Sequence, residues 1–296
     1  MDFQSLYDYK KGLVNTALKE LIDKVAGCHG KLLDSVKYSL FAGGKRLRPI
    51  LLLSANELVE DDNEDKMHLA CAVEMIHTYS LIHDDLPAMD NDEYRRGMLT
   101  NHMVYGEAMA ILAGDALLNL AYETMIRNIP AELDRMQRYL KAVSVIASAS
   151  GMSGMIGGQA ADIDNGSVDK TEDVLNYIHQ HKTEALITAS LYAGMLLSDH
   201  RKELLEPVIA YGKAIGLAFQ ITDDILDVTG DITTLGKKPG SDEKNRKLTY
   251  PGRFGLEGSR RMAERLIDEA VTHISVFGKR SEFLKCLAYS ILERTQ

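Results

Sequence analysis

The stretch LIHDDLPAMD (residues 81–90) ends a long apolar segment with three aspartates. A second stretch, AFQITDDILD (residues 218–227), has the same character much later in the chain. Three carboxylates within a few residues repel one another, so a fold tolerates them beside apolar surface only when cations lie nearby. One such cluster is usually a solvated helix end, but two, each preceded by an apolar run, indicate a functional site. The six aspartates are Asp84, Asp85, Asp90, Asp223, Asp224 and Asp227.

The residue types around these clusters indicate what they bind. Carboxylate oxygens without Cys or His beside them are hard ligands that favour Mg²⁺, which keeps several waters and bridges to phosphate groups. Basic residues form local islands along the chain, although its net charge is −9. This combination predicts a small anionic substrate, a diphosphate bound with Mg²⁺. The islands are Lys45, Arg46 and Arg48; Arg95 and Arg96; Lys237 and Lys238; and Lys244, Arg246 and Lys247.

The composition argues against several classes of partner. An acidic chain does not suit nucleic acid or an anionic membrane, which require a basic surface. The three cysteines, Cys28, Cys71 and Cys286, have no metal or redox spacing and fit a reducing compartment. Residues 1–11 contain no apolar signal segment. We therefore expect a cytoplasmic protein.

The longest uncharged stretch, residues 142–161, is long enough to cross a bilayer. It is rich in Ser and Gly rather than Leu and Ile. We therefore interpret it as one closely packed interior helix, and we expect no stable membrane insertion.

The hydrophobic pattern is helical almost throughout, and convincing alternating strands are absent. All six prolines fall near the beginnings or ends of helical patterns, where proline is tolerated. Length alone would permit one or two domains, but no linker divides the 296 residues, so we predict a single all-α domain, residues 1–296. The patterns predict roughly ten helices, centred near residues 15, 36, 55, 76, 115, 143, 184, 217, 265 and 287.

The spacing within each motif predicts how its carboxylates are arranged. Asp84 and Asp90 are six residues apart, about 240° around a regular helix, which would point them in different directions. Pro87 opposes a regular helix, so the chain can leave the helix there and bring Asp90 back toward Asp84. His77 lies two turns before Asp84 on the same face. In the second motif one direction is shared by Gln220, Asp223, Asp224 and Asp227.

These motifs resemble those of trans-isoprenyl diphosphate synthases, most closely the bacterial farnesyl diphosphate synthases. The resemblance covers nearly the whole chain in one order. It implies the isoprenoid synthase fold, a single-domain bundle of mostly antiparallel helices around a deep central cavity, normally a homodimer. The matching segments are GGKRLRP (43–49), LIHDDLP (81–87), RRG (95–97), AGDAL (113–117), GGQ (157–159), HKT (181–183), FQITDDILD (219–227), LGK (235–237) and TYP (249–251).

The resemblance implies a Mg²⁺-dependent condensation of isopentenyl diphosphate with dimethylallyl diphosphate and then geranyl diphosphate, which yields farnesyl diphosphate and diphosphate. The allylic C–O bond ionises, the isopentenyl double bond attacks the cation, and a proton is lost. By the same resemblance Asp84, Asp90 and Asp223 bind usually three Mg²⁺ ions. More indirect partners of these ions are Asp85, Asp224 and Asp227, with Gln159 and Asp162.

The resemblance also implies two diphosphate sites. Residues expected at the isopentenyl diphosphate are Gly44, Lys45, Arg48, His77 and Arg96. Residues expected at the allylic diphosphate are Arg95, Lys182, Thr183, Gln220, Lys237 and Lys247. Lys182, Thr183 and Gln220 are also the expected catalytic residues, which stabilise the carbocation. Without the resemblance, Lys182 would be read as an ordinary lysine on a helix surface.

We expect Tyr79 to set the product length, because it lies five residues before Asp84 and therefore about 7.5 Å deeper along the helix. A wide, stiff phenol ring there would stop the growing tail at fifteen carbons, because close-packed interiors yield little. The neighbouring Ser80 is too small to block it. The alternative for Tyr79 is an ordinary core aromatic.

Other functions remain open at this point. A geranylgeranyl diphosphate synthase differs mainly in pocket depth. A terpene cyclase usually has an Asn/Ser/Glu metal motif in place of the second cluster, and a regulatory prenyltransferase subunit tends to lose one cluster, whereas this chain keeps both. A di-iron bundle would need Glu-x-x-His pairs, which we do not find.

Overall fold

The structure, a computed structural model, describes residues 2–60, 64–164, 171–199, 202–230 and 247–293. Its contacts group these residues into two compact units. The first comprises the described residues up to Ile50 together with Met67–Ile129. The second comprises the described residues between Leu51 and Lys66 and the described residues from Pro130 onward. The single-domain organisation stays a prediction.

The first unit contains helices joined by short turns, and it carries the first aspartate motif. Helix α1 buries Val14, Leu18 and Ile22, which are four residues apart and so share one helical face. Helix α2 packs against α5 and α6. The bounds are α1 Phe3–Asp23, α2 Gly30–Leu40, α3 Leu47–Glu57, α4 Asp65–Asp84, α5 Asn101–Tyr105 and α6 Glu107–Arg127, with α3 ending and α4 beginning in the second unit.

A two-residue antiparallel ribbon lies between α4 and α5, formed by β1 (Tyr94–Arg95) and β2 (Met98–Leu99). Its turn places Arg96 at φ 55° and Gly97 at φ 77°. Two successive positive φ values are typical of the tight hairpin turns whose twist suits paired strands. The hydrophobic pattern did not predict this ribbon, because two-residue strands are too short to show alternation.

The second unit carries the second aspartate motif on α11, which packs against α12 and α10. Helix α10 also packs against α7. The chain from α9 to α10 is continuous through a π-helical turn at Gln180–Glu184. The bounds are α7 Leu133–Ser150, α8 Met155–Ile163, α9 Glu172–His179, α10 Ala185–Leu196, α11 Leu205–Thr229, α12 Tyr250–Ile274 and α13 Glu282–Leu292, with 3₁₀ turns at Lys202–Leu204 and Ser275–Ser281.

The all-α prediction is confirmed, and each of the ten predicted centres lies in a helical segment. The prediction of one helix over residues 142–161 is wrong. Helix α7 ends at Ser150 and α8 begins at Met155. Gly154 has a non-helical conformation, and a Cβ at this position would collide with the carbonyl of Ala149. The chain therefore turns where the composition is richest in glycine.

In the part of the chain that the structure describes, three helical segments are long and apolar enough to cross a membrane by length and composition: Glu107–Arg127, Leu133–Ile163 and Lys202–Thr229. The absence of membrane insertion therefore stays a prediction.

Candidate active site

The first aspartate motif begins where α4 ends, at Asp84. The backbone N–H of Asp90 donates a hydrogen bond to the carbonyl oxygen of Asp84, with N and O 2.9 Å apart. This closes the seven-residue segment into a loop, as Pro87 predicted. Asp84 and Asp90 are half-buried, whereas Asp85 is buried.

Asp85 is neutralised by Arg95. The Arg95 Nε lies 2.7 Å and 3.0 Å from the two carboxylate oxygens, and Nη2 lies 2.6 Å from Oδ1. Burial raises the pKa of Asp85 to about 6, and the charge of Arg95 opposes this rise. A carboxylate bound in this bidentate way has little remaining capacity for a metal ion. The arrangement fits an indirect role for Asp85, and it places Arg95 on a protein carboxylate.

The glycine-rich turn before α3 contacts Arg96. The Arg96 Nη1 donates to the carbonyl oxygen of Gly43 at 2.6 Å. Gly44 has φ 110°, and a Cβ there would lie 2.6 Å from the guanidinium carbon of Arg96. Only glycine combines this backbone conformation with such a close approach. The structure thus brings Gly44 and Arg96 together, with Lys45 exposed beside them and Arg48 buried.

His77, on α4, is the half-buried histidine of this cationic cluster. Burial lowers the pKa of His77 well below its usual range, and the positive charges of Arg48, Arg96, Arg95 and Arg46 lower it further. His77 is therefore neutral near pH 7. It can donate a hydrogen bond to a phosphate oxygen without adding charge to the cluster.

Tyr79 is 5% exposed, and its ring packs edge-on against His83 with centroids 5.7 Å apart. Burial, with smaller contributions from Tyr122 and Asp84, raises the pKa of the Tyr79 phenol to about 12. The His83 Nε2 lies 3.0 Å from the carbonyl oxygen of Ile111 on α6. The ring of Tyr79 is thus buried and neutral.

No role for His83 was predicted from the sequence. The sequence also does not explain why AGDAL contains a glycine. A Cβ at Gly114 would collide with the His83 imidazole, so the glycine makes room for this ring. The adjacent Ser80 donates its hydroxyl to the backbone of its own helix, at the carbonyl of His77.

In the second motif, a chain of hydrogen bonds orients Gln220. The Thr183 hydroxyl donates to Gln220 Oε1 at 2.7 Å, and Gln220 Nε2 donates to Asp224 Oδ1 at 2.9 Å. The other oxygen of Asp224 accepts from the backbone N–H of Tyr250 at 3.0 Å. Asp224 is buried and bonded within the protein. It therefore holds Gln220, which fits an indirect role toward any metal.

Thr183 lies in the π-helical turn, a rare element that is frequently found at functional sites. The preceding residue, Lys182, has its Nζ 2.6 Å from Asp162 Oδ2. Lys247 Nζ lies 4.0 Å from the same oxygen. Gly158 is one turn before Asp162 on α8, and a Cβ there would collide with the backbone of Lys182. One face of α8 therefore approaches the turn closely and positions the carboxylate on its lysine.

The remaining predicted residues of this motif differ in burial. Asp223 is half-buried and Asp227 is buried. The amide oxygen of Gln159 is buried and has no hydrogen-bond partner within the described part of the chain. Lys237 lies outside the described residues, so its place at the allylic diphosphate stays a prediction.

The donor set fits Mg²⁺. It consists of carboxylates, and the orphaned acceptor of Gln159 suits a metal-bound water. Among the described residues no group of three Asp, Glu, His or Cys side chains could hold a metal ion.

The sequence analysis also missed His179 and Glu184, which flank the HKT segment. His179 is buried, its Nε2 lies 3.8 Å from Asp224, and burial lowers its pKa to about 4. Burial raises the pKa of Glu184 to about 7, an effect that Lys213 opposes. Their position beside HKT was the available signal, but burial cannot be read from it.

Glu184 makes stability pH-dependent. The folded protein favours the protonated acid. The stability that Glu184 contributes is therefore fully present below its ordinary pKa of 4.5 and is lost as the pH rises through about 7. Replacing Glu184 with Gln should remove this loss. The free energy of unfolding of the variant, relative to that of the wild type, should therefore rise by about 1–2 kcal/mol between about pH 5 and pH 8. Urea unfolding at both pH values measures this, and a difference that does not change with pH would contradict it.

Comparison with known proteins decides the family. The polyprenyl synthetase family model matches residues 29–287. The chain belongs to this family. A farnesyl diphosphate synthase from Geobacillus stearothermophilus is 43% identical over 93% of this chain and 92% of its own length. A geranylgeranyl diphosphate synthase from Cyanophora paradoxa is 45% identical over 98% of this chain and 95% of its own length.

A solved family structure agrees. The geranyltransferase from Helicobacter pylori, complexed with magnesium and isoprenyl diphosphate, superimposes with a TM-score of 0.85 at 31% identity, over 99% of this chain and 97% of that one. The chain is thus a prenyltransferase of the trans-isoprenyl diphosphate synthase class, with the all-α fold of that class. Relatives carry both farnesyl and geranylgeranyl names, so the names alone do not decide the product.

Proposed function

We propose that the protein is a farnesyl diphosphate synthase, which condenses isopentenyl diphosphate with dimethylallyl diphosphate and then with geranyl diphosphate. The observation that carries this choice is the buried ring of Tyr79, five residues before Asp84 on α4. A tail anchored by its diphosphate at Asp84 would meet this ring as it grows along the helix. A residue without a ring there would favour the alternative, a geranylgeranyl diphosphate synthase.

Asp84, Asp90 and Asp223 are the proposed Mg²⁺ ligands, with three ions in all. They are the half-buried members of the two motifs, whereas Asp85, Asp224 and Asp227 are buried. Mg²⁺ bound there would supply the positive charge that stabilises the departing diphosphate. The loop from Asp84 to Asp90 brings the backbones of two of these residues together.

Lys182, Lys247, Arg95 and Lys237 are the proposed cations for the allylic diphosphate. In the structure Lys182 is paired with Asp162 and Arg95 with Asp85. These carboxylates orient the cations before substrate binds. An incoming diphosphate carries more negative charge than either carboxylate, so it can compete for the same donors.

Thr183 and Gln220 are proposed to stabilise the allylic carbocation. Their side-chain oxygens lie 2.7 Å apart, and the Asp224 contact to Gln220 Nε2 fixes which end of the amide faces Thr183. Two oriented oxygen dipoles can lower the energy of a positive charge without reorganising. The side chain of Lys182 has no oxygen. Its proposed contribution to stabilising the carbocation is to bind the allylic diphosphate. The departing diphosphate is the proposed acceptor of the proton.

One assay tests the proposal. Purified protein is incubated with Mg²⁺, isopentenyl diphosphate and each allylic starter in turn, and the products are sized. Fifteen-carbon diphosphate as the main product supports the proposal. A main product of twenty carbons would favour the alternative, and no condensation would favour a regulatory subunit.

The isopentenyl site gives a second test. Replacing Arg48 with Ala should raise KM for isopentenyl diphosphate about tenfold to a hundredfold, because a charge-assisted phosphate contact contributes about 1.5–3 kcal/mol. KM for the allylic substrate should change little. Steady-state kinetics with each substrate varied separately measures both values. Equal weakening of the two substrates would contradict a separate site at Gly44, Lys45, Arg48, His77 and Arg96.

We also propose a cytoplasmic homodimer, from the family resemblance and from the cysteine pattern. Light scattering of the purified protein tests the dimer.

A further inference from the structure

Arg46 lies inside the GGKRLRP segment, yet its side chain is turned to the protein interior. Its side chain is 2% exposed, and Nη1 lies 2.6 Å from Oε1 of Glu74, whose side chain is 1% exposed. Its Nε donates to Asn15 Oδ1 at 2.9 Å, and Nη2 donates to the carbonyl oxygen of Leu40 at 2.6 Å. One side chain thus ties the turn to α1, to the end of α2 and to α4.

The backbone of this turn is in a conformation that arginine rarely adopts. Arg46 has φ 56°, in the left-handed region that side chains other than glycine, Asn and Asp disfavour. The turn must therefore be stabilised by contacts rather than by local preference. The contacts of Arg46 are of this kind, and the Tyr7 hydroxyl adds another by donating to the carbonyl oxygen of Lys45 at 2.7 Å.

Glu74 supplies negative charge where arginines are concentrated. It is one helical turn before His77 on α4. Burial lowers the pKa of Arg96, and the negative charge of Glu74 opposes this lowering. Glu74 also forms an ion pair with Arg46. The positive charges of Arg46 and Arg48 both lower the pKa of His77, so these two cations lie near the same histidine. A buried carboxylate among them reduces their mutual repulsion before a diphosphate arrives.

We infer that Arg46 and Glu74 are positioning residues of the isopentenyl diphosphate site. By joining the turn to α4, they hold Gly44, Lys45 and Arg48 in register with His77. Neither touches the substrate, and they act through the residues that do. The inference rests on the proposed function, because it requires the isopentenyl site to lie at this turn.

Arg46→Lys tests the inference. Lysine keeps the charge, but its single ammonium cannot reach Glu74, Asn15 and the Leu40 carbonyl with the geometry of the guanidinium fork. We expect KM for isopentenyl diphosphate to rise about tenfold, while kcat and KM for the allylic substrate stay within about twofold. An unchanged KM for isopentenyl diphosphate in folded protein, or equal rises for both substrates, would overturn the inference.

A matched control separates positioning from general destabilisation. In the second unit, Arg135 makes a fork with Asp65, with N–O distances of 3.2 Å and 2.9 Å. Arg135→Lys removes this fork and should lower Tm without changing either KM. If it raised KM for isopentenyl diphosphate as Arg46→Lys does, the effect would be one of stability and the inference would fail.

Glu74→Gln distinguishes a positioning role of Glu74 from an effect of its charge. It also provides a test if the Arg46→Lys variant does not fold. The variant keeps the shape and removes the negative charge. If Glu74 positions the turn through Arg46, KM for isopentenyl diphosphate should rise. If its charge alone mattered, the cluster would become more positive and KM should fall, which would overturn the inference.

The double variant Arg46→Lys/Arg48→Ala shows whether the two arginines act together. Residues that act through one another have less than additive effects, so Arg46→Lys should raise KM less in this background than alone. Full additivity would overturn the inference. If Arg48→Ala left KM for isopentenyl diphosphate unchanged, the proposed isopentenyl site would be contradicted. If Arg48→Ala raised this KM but Arg46→Lys and Glu74→Gln left it unchanged, only the inference would be contradicted.

Discussion

Asp84→Ala and Asp223→Ala should each lower kcat about a thousandfold or more at saturating Mg²⁺. Each carboxylate is a proposed Mg²⁺ ligand, and the charge it helps to stabilise develops as the allylic C–O bond breaks. Loss of an interaction that is made mainly in the transition state lowers kcat rather than substrate affinity alone. Single-turnover measurement with geranyl diphosphate checks this, because it isolates the chemical step from product release.

The matched control is Asp268→Ala, which removes an exposed aspartate on α12. It should leave kcat unchanged. Circular dichroism and Tm should show that both active-site variants remain folded, since Asp84 and Asp223 are half-buried rather than core residues. Near-normal turnover in either variant would rule out that residue as a metal ligand.

Tyr79→Ala should change the main product from fifteen carbons to twenty or longer. The substitution removes a ring that is 5% exposed and leaves space along α4 for a further prenyl unit. Product sizing after incubation with geranyl diphosphate and excess isopentenyl diphosphate measures the change. A distribution that stayed at fifteen carbons would mean that another residue forms the floor of the pocket.

Two controls isolate the ring from its surroundings. Tyr79→Phe keeps the ring and should keep the fifteen-carbon product. Ser80→Ala removes a hydroxyl that donates to the helix backbone and should also leave product length unchanged. A longer product from either control would show that ring size is not the deciding property.

The helical architecture followed from the sequence because helix formation depends on local pattern. Apolar residues at three-to-four spacing specify a helix whatever it packs against, and each predicted centre lies in a helical segment. The return of Asp90 to Asp84 was also predictable, since Pro87 cannot continue a regular helix. The break between α7 and α8 was missed because the hydrophobic pattern does not show it; the backbone at Gly154 is non-helical and lies too close to the Ala149 carbonyl for any residue with a Cβ.

The family resemblance already divided the aspartates into expected metal ligands and indirect partners, but the different surroundings of these residues are visible only in the tertiary structure. In the fold, Asp85 is buried against Arg95, while Asp84 ends α4 half-buried. In the same way, Asp224 is bonded to Gln220 and the Tyr250 backbone, whereas Asp223 is half-buried. Adjacent helical residues point about 100° apart, so neighbouring aspartates can differ in burial.

The sequence by itself determined the residue chemistry: carboxylates for Mg²⁺, local basic islands, and an aromatic ring five residues before the first motif. Only the tertiary structure decided which cation pairs with which carboxylate. It pairs Lys182 with Asp162 and turns Arg46 inward onto Glu74. It also keeps His77 neutral, through burial and nearby arginines. Pairing and burial depend on residues far apart in the chain, whereas the pattern of a motif depends only on its neighbours.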